Sequence, residues 1–127
     1  MEEFGYRKLI AYQKAKEVVK HTYQLLKKFP AEERYAMSDQ LRRASVSITS
    51  NIAEGVNRYS VKDKARFIEI AYGSLMEVSS QFEIAEDLKY ITSDERLSMD
   101  LLVAEVARLL TGLQKTYNSK LSTDPQL

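Results

Sequence analysis

The chain has 127 residues, of which 44% are hydrophobic and 29% are charged, and its formal net charge is +1, a composition typical of one folded domain. The absence of cysteine excludes disulfides, thiolate metal sites and cysteine nucleophiles, and four glycines with two prolines are too few for a turn-rich β fold. No apolar run is long enough to cross a membrane and the first residues lack the form of a signal peptide, so we expect a cytoplasmic all-α protein.

Hydrophobic periodicity predicts two helices in the first half of the chain. The first runs from near Arg7 to Phe29 and ends there because Pro30 cannot continue a helix. The second runs from near Glu32 to Gly55, and we interpret this glycine as its C-terminal cap. The joint between the two helices is therefore predicted to be tight.

The second half of the chain carries signals for two more helices. Ser60 is placed to cap a third helix, Asp63 can complete a reciprocal cap, and this helix should last to about Tyr90. The sequence Thr92-Ser93-Asp94-Glu95 is typical of the start of a fourth helix, whose apolar stripe continues to Tyr117.

Four helices of similar length with short connections favour an antiparallel up-down-up-down four-helix bundle. No shift in composition marks a second domain. We therefore assign residues 1–121 to a single four-helix bundle domain and residues 122–127 to a flexible C-terminal tail.

Two lines of apolar residues fall outside the core stripes of the second and third helices. They are Tyr35, Val46 and Ala53 on the second helix and Ile70, Ile84 and Leu88 on the third. Helices that are apolar on more than one side are usually buried on more than one side. We therefore expect a homo-oligomer.

Between its two apolar sides, the second helix carries a sector of polar residues that we name the polar wall. It consists of Gln40, Arg43, Ser47, Ser50, Asn51 and Glu54. It is either a ligand or partner site, or a hydrogen-bond network that fixes the register between helices or subunits. The network is favoured, because partly buried polar groups must find partners. Glu77 on the third helix is a predicted ion partner for Arg42 or Arg43.

The polar wall is also the stretch that carries a resemblance to a known family. Asn-Ile-Ala-Glu-Gly at residues 51–55 follows an Arg-Arg pair at residues 42–43, and matching residues extend from Tyr12 to Glu77. This pattern resembles the four-helix bundle proteins encoded in intervening sequences of bacterial 23S ribosomal RNA. The resemblance implies a ring-like homo-oligomer, a pentamer. The family is also similar to the accessory variability protein of diversity-generating retroelements, a basic ring that binds nucleic acid and a reverse transcriptase, whereas this chain is nearly neutral.

Two groups of basic residues are candidates for binding RNA or DNA. We name the first group the lysine line; it consists of Lys16, Lys20 and Lys27 on one stripe of the first helix. We name the second group the turn cluster; it consists of Arg58, Lys62, Lys64 and Arg66 near the start of the third helix. Repetition of these charges in a ring would strengthen their field. The alternative is that they only keep the surface solvated.

An enzyme is not expected. His21 is the only histidine and lies on the charged side of the first helix, so the sequence cannot form a multi-histidine metal site and does not favour a catalytic triad. It also contains no glycine-rich phosphate loop. We predict no catalytic residue, metal or cofactor. The sequence favours an oligomeric scaffold that binds RNA or DNA, with a further protein partner; the alternative is a protein–protein interaction ring without a nucleic-acid role.

Overall fold

The computed structural model describes residues 4–122, which form four α-helices and two short 3-10 helices, with no strand among these residues. The α-helices are α1 (Ile10–Leu26), α2 (Met37–Val56), α3 (Val61–Asp87) and α4 (Ser93–Ser122). The 3-10 helices are Gly5–Lys8 and Ala31–Glu33. The all-α prediction is thereby confirmed. Of the predicted tail, residues 123–127 lie outside the described residues.

The first two helices begin later than the sequence predicts. The extended backbone of Leu9 (φ −69°, ψ 127°) separates α1 from the 3-10 turn that contains Arg7. Ala36 (φ −122°, ψ −107°) has non-helical angles and precedes the first residue of α2. Tyr35, which the sequence analysis placed on the second helix, therefore lies in the α1–α2 connection instead, and that connection is longer than predicted.

Each helix packs against two neighbours, in the pairs α1–α2, α2–α3, α3–α4 and α1–α4. The residue numbers of the contacts decrease along α3 as they increase along α2, because Ser47 contacts Ser74 while Gly55 approaches Phe67. The core is formed mainly by the predicted apolar stripes. Its largest fully buried apolar side chains are Val18, Leu41, Ile48, Ile52, Ile68, Leu75, Val78, Phe82, Met99, Val106 and Leu110. No helix in this part of the chain is long and apolar enough to span a membrane.

Both predicted capping sequences start a helix. The Ser60 Oγ accepts a hydrogen bond from the Asp63 backbone N–H at 3.0 Å. Before α4, the Thr92 N–H donates to Glu95 Oε1 (2.8 Å) and the Glu95 N–H donates to Thr92 Oγ1 (3.1 Å), which is a complete capping box. Lys28 also bonds to Glu95. The hydrogen bond from Lys28, followed by that from the Thr92 N–H, lowers the pKa of the Glu95 carboxyl.

Gly55 is required for close helix packing and is not the C-terminal cap. The helix continues through Gly55 to Val56, and none of the glycines in residues 4–122 has a positive φ. A Cβ atom on Gly55 would lie 2.7 Å from the Cβ atom of Phe67, which is closer than carbon atoms can approach. The last turn of α2 therefore touches the first turns of α3 only because this residue has no side chain.

Replacing Gly55 by alanine is expected to lower the free energy of unfolding by about 1–3 kcal/mol, because two backbones must separate to admit the methyl group. Gly112 in α4 provides the matched control, since nothing lies within 4 Å of a Cβ atom built there. Gly112→Ala should raise the free energy of unfolding by about 0.4–1 kcal/mol, because alanine restricts the unfolded chain. Urea denaturation monitored by circular dichroism measures both values. Equal effects of the two substitutions would contradict this account of Gly55.

Candidate nucleic-acid interface

Lys16 and Lys20 of the lysine line lie on the outward side of α1, and Lys27 directly follows the last residue of this helix. Lys16, Lys20 and Lys27 are all exposed, and in the described part of the chain no carboxylate forms an ion pair with them. The Lys16 ammonium lies 5.3 Å from the centre of the Tyr12 ring, which fixes one end of the line. Eleven residues of α-helix span about 16 Å, so the line presents its three charges along that length. These charges are available to an anion.

Two other lysines, Lys14 in α1 and Lys28 just after it, pair with carboxylates instead. The Lys14 ammonium lies 3.5 Å from Glu17 and 3.6 Å from Glu105 of α4. Lys28 pairs with Glu95, also of α4. The positive charge of α1 is therefore divided between residues that attach this helix to α4 and residues that face outward.

In the turn cluster, three residues have charges that no ion pair among residues 4–122 neutralises, and the fourth has a structural role. The guanidinium groups of Arg58 and Arg66 lie 4.5 Å and 5.6 Å from the centre of the Phe67 ring, and Lys62 is exposed. The Lys64 ammonium donates a hydrogen bond to the Val56 carbonyl at 2.8 Å. This bond satisfies one of the free carbonyls at the end of α2. Lys64 is thus less available for binding than the sequence analysis expects.

The centre of the polar wall is a hydrogen-bond network between helices. The Asn51 side-chain amide donates to the Ser47 carbonyl (2.8 Å) and to Ser47 Oγ (3.0 Å). Ser47 Oγ is also 2.9 Å from Ser74 Oγ of α3. The side chains of Gln40, Ser50 and Glu54 make no hydrogen bond or ion pair with the described residues. The centre of the polar wall therefore links α2 to α3. The residues at its ends have polar groups that are available to a partner.

The predicted ion pair between Glu77 and an arginine of α2 is wrong within one copy of the chain. Arg43 Nε lies 3.0 Å from Asp39, and Arg42 lies 3.7 Å from the same carboxylate. Arg42 also donates to the Arg34 carbonyl at 3.1 Å. Asp39 is four residues before Arg43 on the same helix, and this local pair forms in place of the predicted one. Glu77 is exposed and has no ion pair with the residues that the structure describes.

Charge is divided between the two ends of the bundle. The segment before α1 lines a cleft with the end of α2, and the first half of α3 lines a cleft with the second half of α4. This end, residues 4–13, 54–69 and 108–122, has nine Lys or Arg and three Asp or Glu. The opposite end, residues 24–40 and 77–100, has five Lys or Arg and ten Asp or Glu. Three further acids, Glu2, Glu3 and Asp124, lie outside the described residues. Although the net charge of the chain is near zero, one end of the bundle has an excess of positive charge. This basic end contains the turn cluster.

The described residues do not form a metal site. They contain no group of three or more His, Asp or Glu side chains that could hold a metal ion. The Nε2 atom of His21 is buried without a hydrogen-bond partner, in a half-buried side chain.

Tyr59 and Asp39 are the residues that the sequence analysis missed at this surface. Tyr59 lies between Arg58 and the Ser60 cap and is fully exposed. An aromatic residue in a short turn between basic residues is the signal that could have identified it. Asp39 could have been recognised from its spacing, since residues four positions apart on a helix are neighbours.

Similarity to known proteins agrees with this fold. A family model described as 23S rRNA-intervening sequence protein matches residues 7–112. Among solved structures, the chain is similar to a protein of unknown function from the S23 ribosomal protein family of Bacteroides thetaiotaomicron, with 26% identity over 84% of this chain and 99% of that chain and a TM-score of 0.77. No curated protein matches the sequence. The resemblance seen in the sequence is confirmed, and the chain belongs to the 23S rRNA-intervening sequence protein family.

Proposed function

We propose that this protein is a non-enzymatic oligomeric scaffold of the cytoplasm that binds RNA or DNA through the lysine line. The observation that carries the proposal is that Lys16, Lys20 and Lys27 are exposed and have no carboxylate partner among residues 4–122, whereas Lys14 and Lys28 are paired with α4. Unpaired lysines that follow one side of a helix can each replace a counterion on a nucleic-acid backbone. The lysine line begins in the middle of α1 and its last member, Lys27, lies towards the acid-rich end, so the turn cluster at the basic end is a separate group of positive charges.

The proposed oligomer is a ring of antiparallel up-down-up-down bundles, with five copies as the family resemblance implies. A ring requires two different surfaces on each copy, because each copy contacts its two neighbours through unlike patches. One exposed apolar surface is formed by Ile70, Ile84 and Leu88 of α3. A second is formed by Leu97 and Leu101 of α4, and Leu101 is 76% exposed. Both surfaces support a head-to-tail contact between copies.

Complementary charges accompany these two surfaces. Glu77 lies two helical turns from both Ile70 and Ile84, and Arg108 lies two turns from Leu101. Both charged residues are exposed and have no ion pair with the described residues. Gly73 is also exposed in the middle of α3, with nothing within 4 Å of a Cβ atom built there. A glycine at this position leaves room for a long side chain of the next copy, so we propose that Arg108 of one copy pairs with Glu77 of the next.

A protein–protein interaction ring without a nucleic-acid role is the second candidate. The near-neutral charge favours it, because strong phosphate binding usually requires a large positive excess. Binding to a further protein partner, and the relation to the retroelement protein, are compatible with either candidate and remain predictions.

Reversal of all three charges of the lysine line is the direct test of nucleic-acid binding. The variant Lys16→Glu/Lys20→Glu/Lys27→Glu should abolish binding to structured RNA and to duplex DNA, measured by fluorescence anisotropy at moderate salt. At low salt, where residual binding of the variant can be measured, the slope of log affinity against log salt should be smaller by about 2–3 than for the wild type if each lysine contacts one duplex phosphate. The matched control is Lys16→Gln alone, which should retain most of the affinity. Unchanged binding by the triple variant would refute this assignment.

The ring contact is tested by placing a charge on the apolar surface of α3. Ile84→Asp should dissociate the oligomer, because an aspartate in an apolar contact must lose its hydration. Sedimentation velocity measures the change in mass. Ile10→Asp is the control: Ile10 is similarly exposed but lies at the start of α1, so this variant should remain assembled. An intact Ile84→Asp oligomer would contradict the proposed contact.

A further inference from the structure

Tyr59 has the most exposed large apolar side chain of residues 4–122, at 104% of the reference value for its residue type. Within these residues its ring makes no aromatic or cation–π contact and its hydroxyl makes no hydrogen bond. Burial of an aromatic ring is strongly favourable, so a ring left bare on both faces contributes nothing to the stability of this copy. It is free to contact something else.

The turn that carries Tyr59 is held at both ends by hydrogen bonds. The Arg58 N–H donates to the Gly55 carbonyl at 3.1 Å, and Ser60 Oγ accepts from the Asp63 N–H at 3.0 Å. The Lys64 ammonium crosses the turn to reach Val56. The tyrosine is therefore presented by an ordered support, which reduces the entropy lost when a ligand binds.

Basic residues lie on both sides of Tyr59 in the sequence. Arg58 is the preceding residue, Lys62 follows three residues later, and the guanidinium of Arg58 shares the Phe67 ring with that of Arg66. Because the ring holds both guanidinium groups, they are already positioned before an anion binds. No ion pair within the described residues neutralises Arg58, Lys62 or Arg66.

A cleft of about 660 Å³ lies beside the turn and is lined by Glu54, Asn57, Arg58, Tyr59, Ser60 and Asp63. Its two carboxylates repel phosphate but can accept hydrogen bonds from the amino groups of a base. The basic side chains of the turn favour a phosphate. This arrangement suits a nucleotide whose base enters the cleft and whose phosphate remains near the arginines.

We propose that the α2–α3 turn binds an unpaired nucleotide, with its base stacked on Tyr59 and its phosphate held by Arg58 and Lys62. The proposal rests on the nucleic-acid role proposed above and specifies its substrate class, which is a single-stranded segment. A base within a duplex is stacked on its neighbours and cannot cover Tyr59, whereas an unpaired base can.

The test compares Tyr59→Ala with Tyr59→Phe on a 20-nucleotide single strand that contains 2-aminopurine and on a duplex of the same sequence. Tyr59→Ala should weaken single-strand binding about 5- to 150-fold, the range that base–aromatic stacking supplies, and should leave duplex binding within about twofold. Tyr59→Phe should bind like the wild type. The fluorescence of 2-aminopurine, which is quenched by stacking, should fall with the wild type and with Tyr59→Phe but not with Tyr59→Ala.

Controls separate this site from the proposed function as a whole. Tyr35→Ala removes the other tyrosine that is almost fully exposed, outside the turn, and should leave single-strand binding unchanged. If the triple lysine variant loses binding while Tyr59→Ala retains it, the nucleotide site is wrong and the scaffold function remains. Equal losses for Tyr59→Phe and Tyr59→Ala would overturn the stacking contact. A wild type that binds neither oligonucleotide at low salt would overturn both proposals.

Discussion

The close approach of α2 to α3 at Gly55 is the constraint on which the basic end of the bundle depends. With no side chain at this residue, the last turn of α2 lies against Phe67. Lys64 can then reach the Val56 carbonyl, and Arg58 and Arg66 both lie against the same aromatic ring. One packing requirement thus orders the turn, holds two guanidinium groups and leaves Tyr59 exposed.

Charged residues have two different roles in the two halves of the molecule. In the acid-rich end, Arg96 pairs with Glu86 and Asp100, and the bond to Glu86 is the main cause of the raised pKa of Arg96. The pair with Glu86 joins α3 to α4, and the pair with Asp100 lies within α4. Among residues 4–122, no carboxylate forms an ion pair with the lysine line or with Arg58, Lys62 and Arg66 of the turn cluster. These charges are the physical basis for proposing a nucleic-acid surface on a chain whose net charge is only +1.

Periodicity and capping rules predicted the four helices and most of the core, because repeating apolar positions and the sequences at Ser60 and Thr92 are local signals. The start of α2 was predicted too early because nothing local indicates the backbone angles of Ala36. Gly55 was interpreted as a cap because its requirement comes from Phe67, which is distant in sequence. Similarly, the chain alone indicated that Lys16, Lys20 and Lys27 share a stripe, but which lysines are neutralised depends on Glu95 and Glu105 of α4.

The most direct test of the assembled nucleic-acid scaffold is its molar mass in solution, measured by light scattering with and without a pool of structured RNA and single-stranded DNA. We expect a multiple of the 14.6 kDa chain mass that rises when nucleic acid is added and returns to the protein value as salt is increased. A mass of one chain would contradict the assembly. An assembled mass that does not respond to nucleic acid would contradict the binding role and favour the protein-interaction ring.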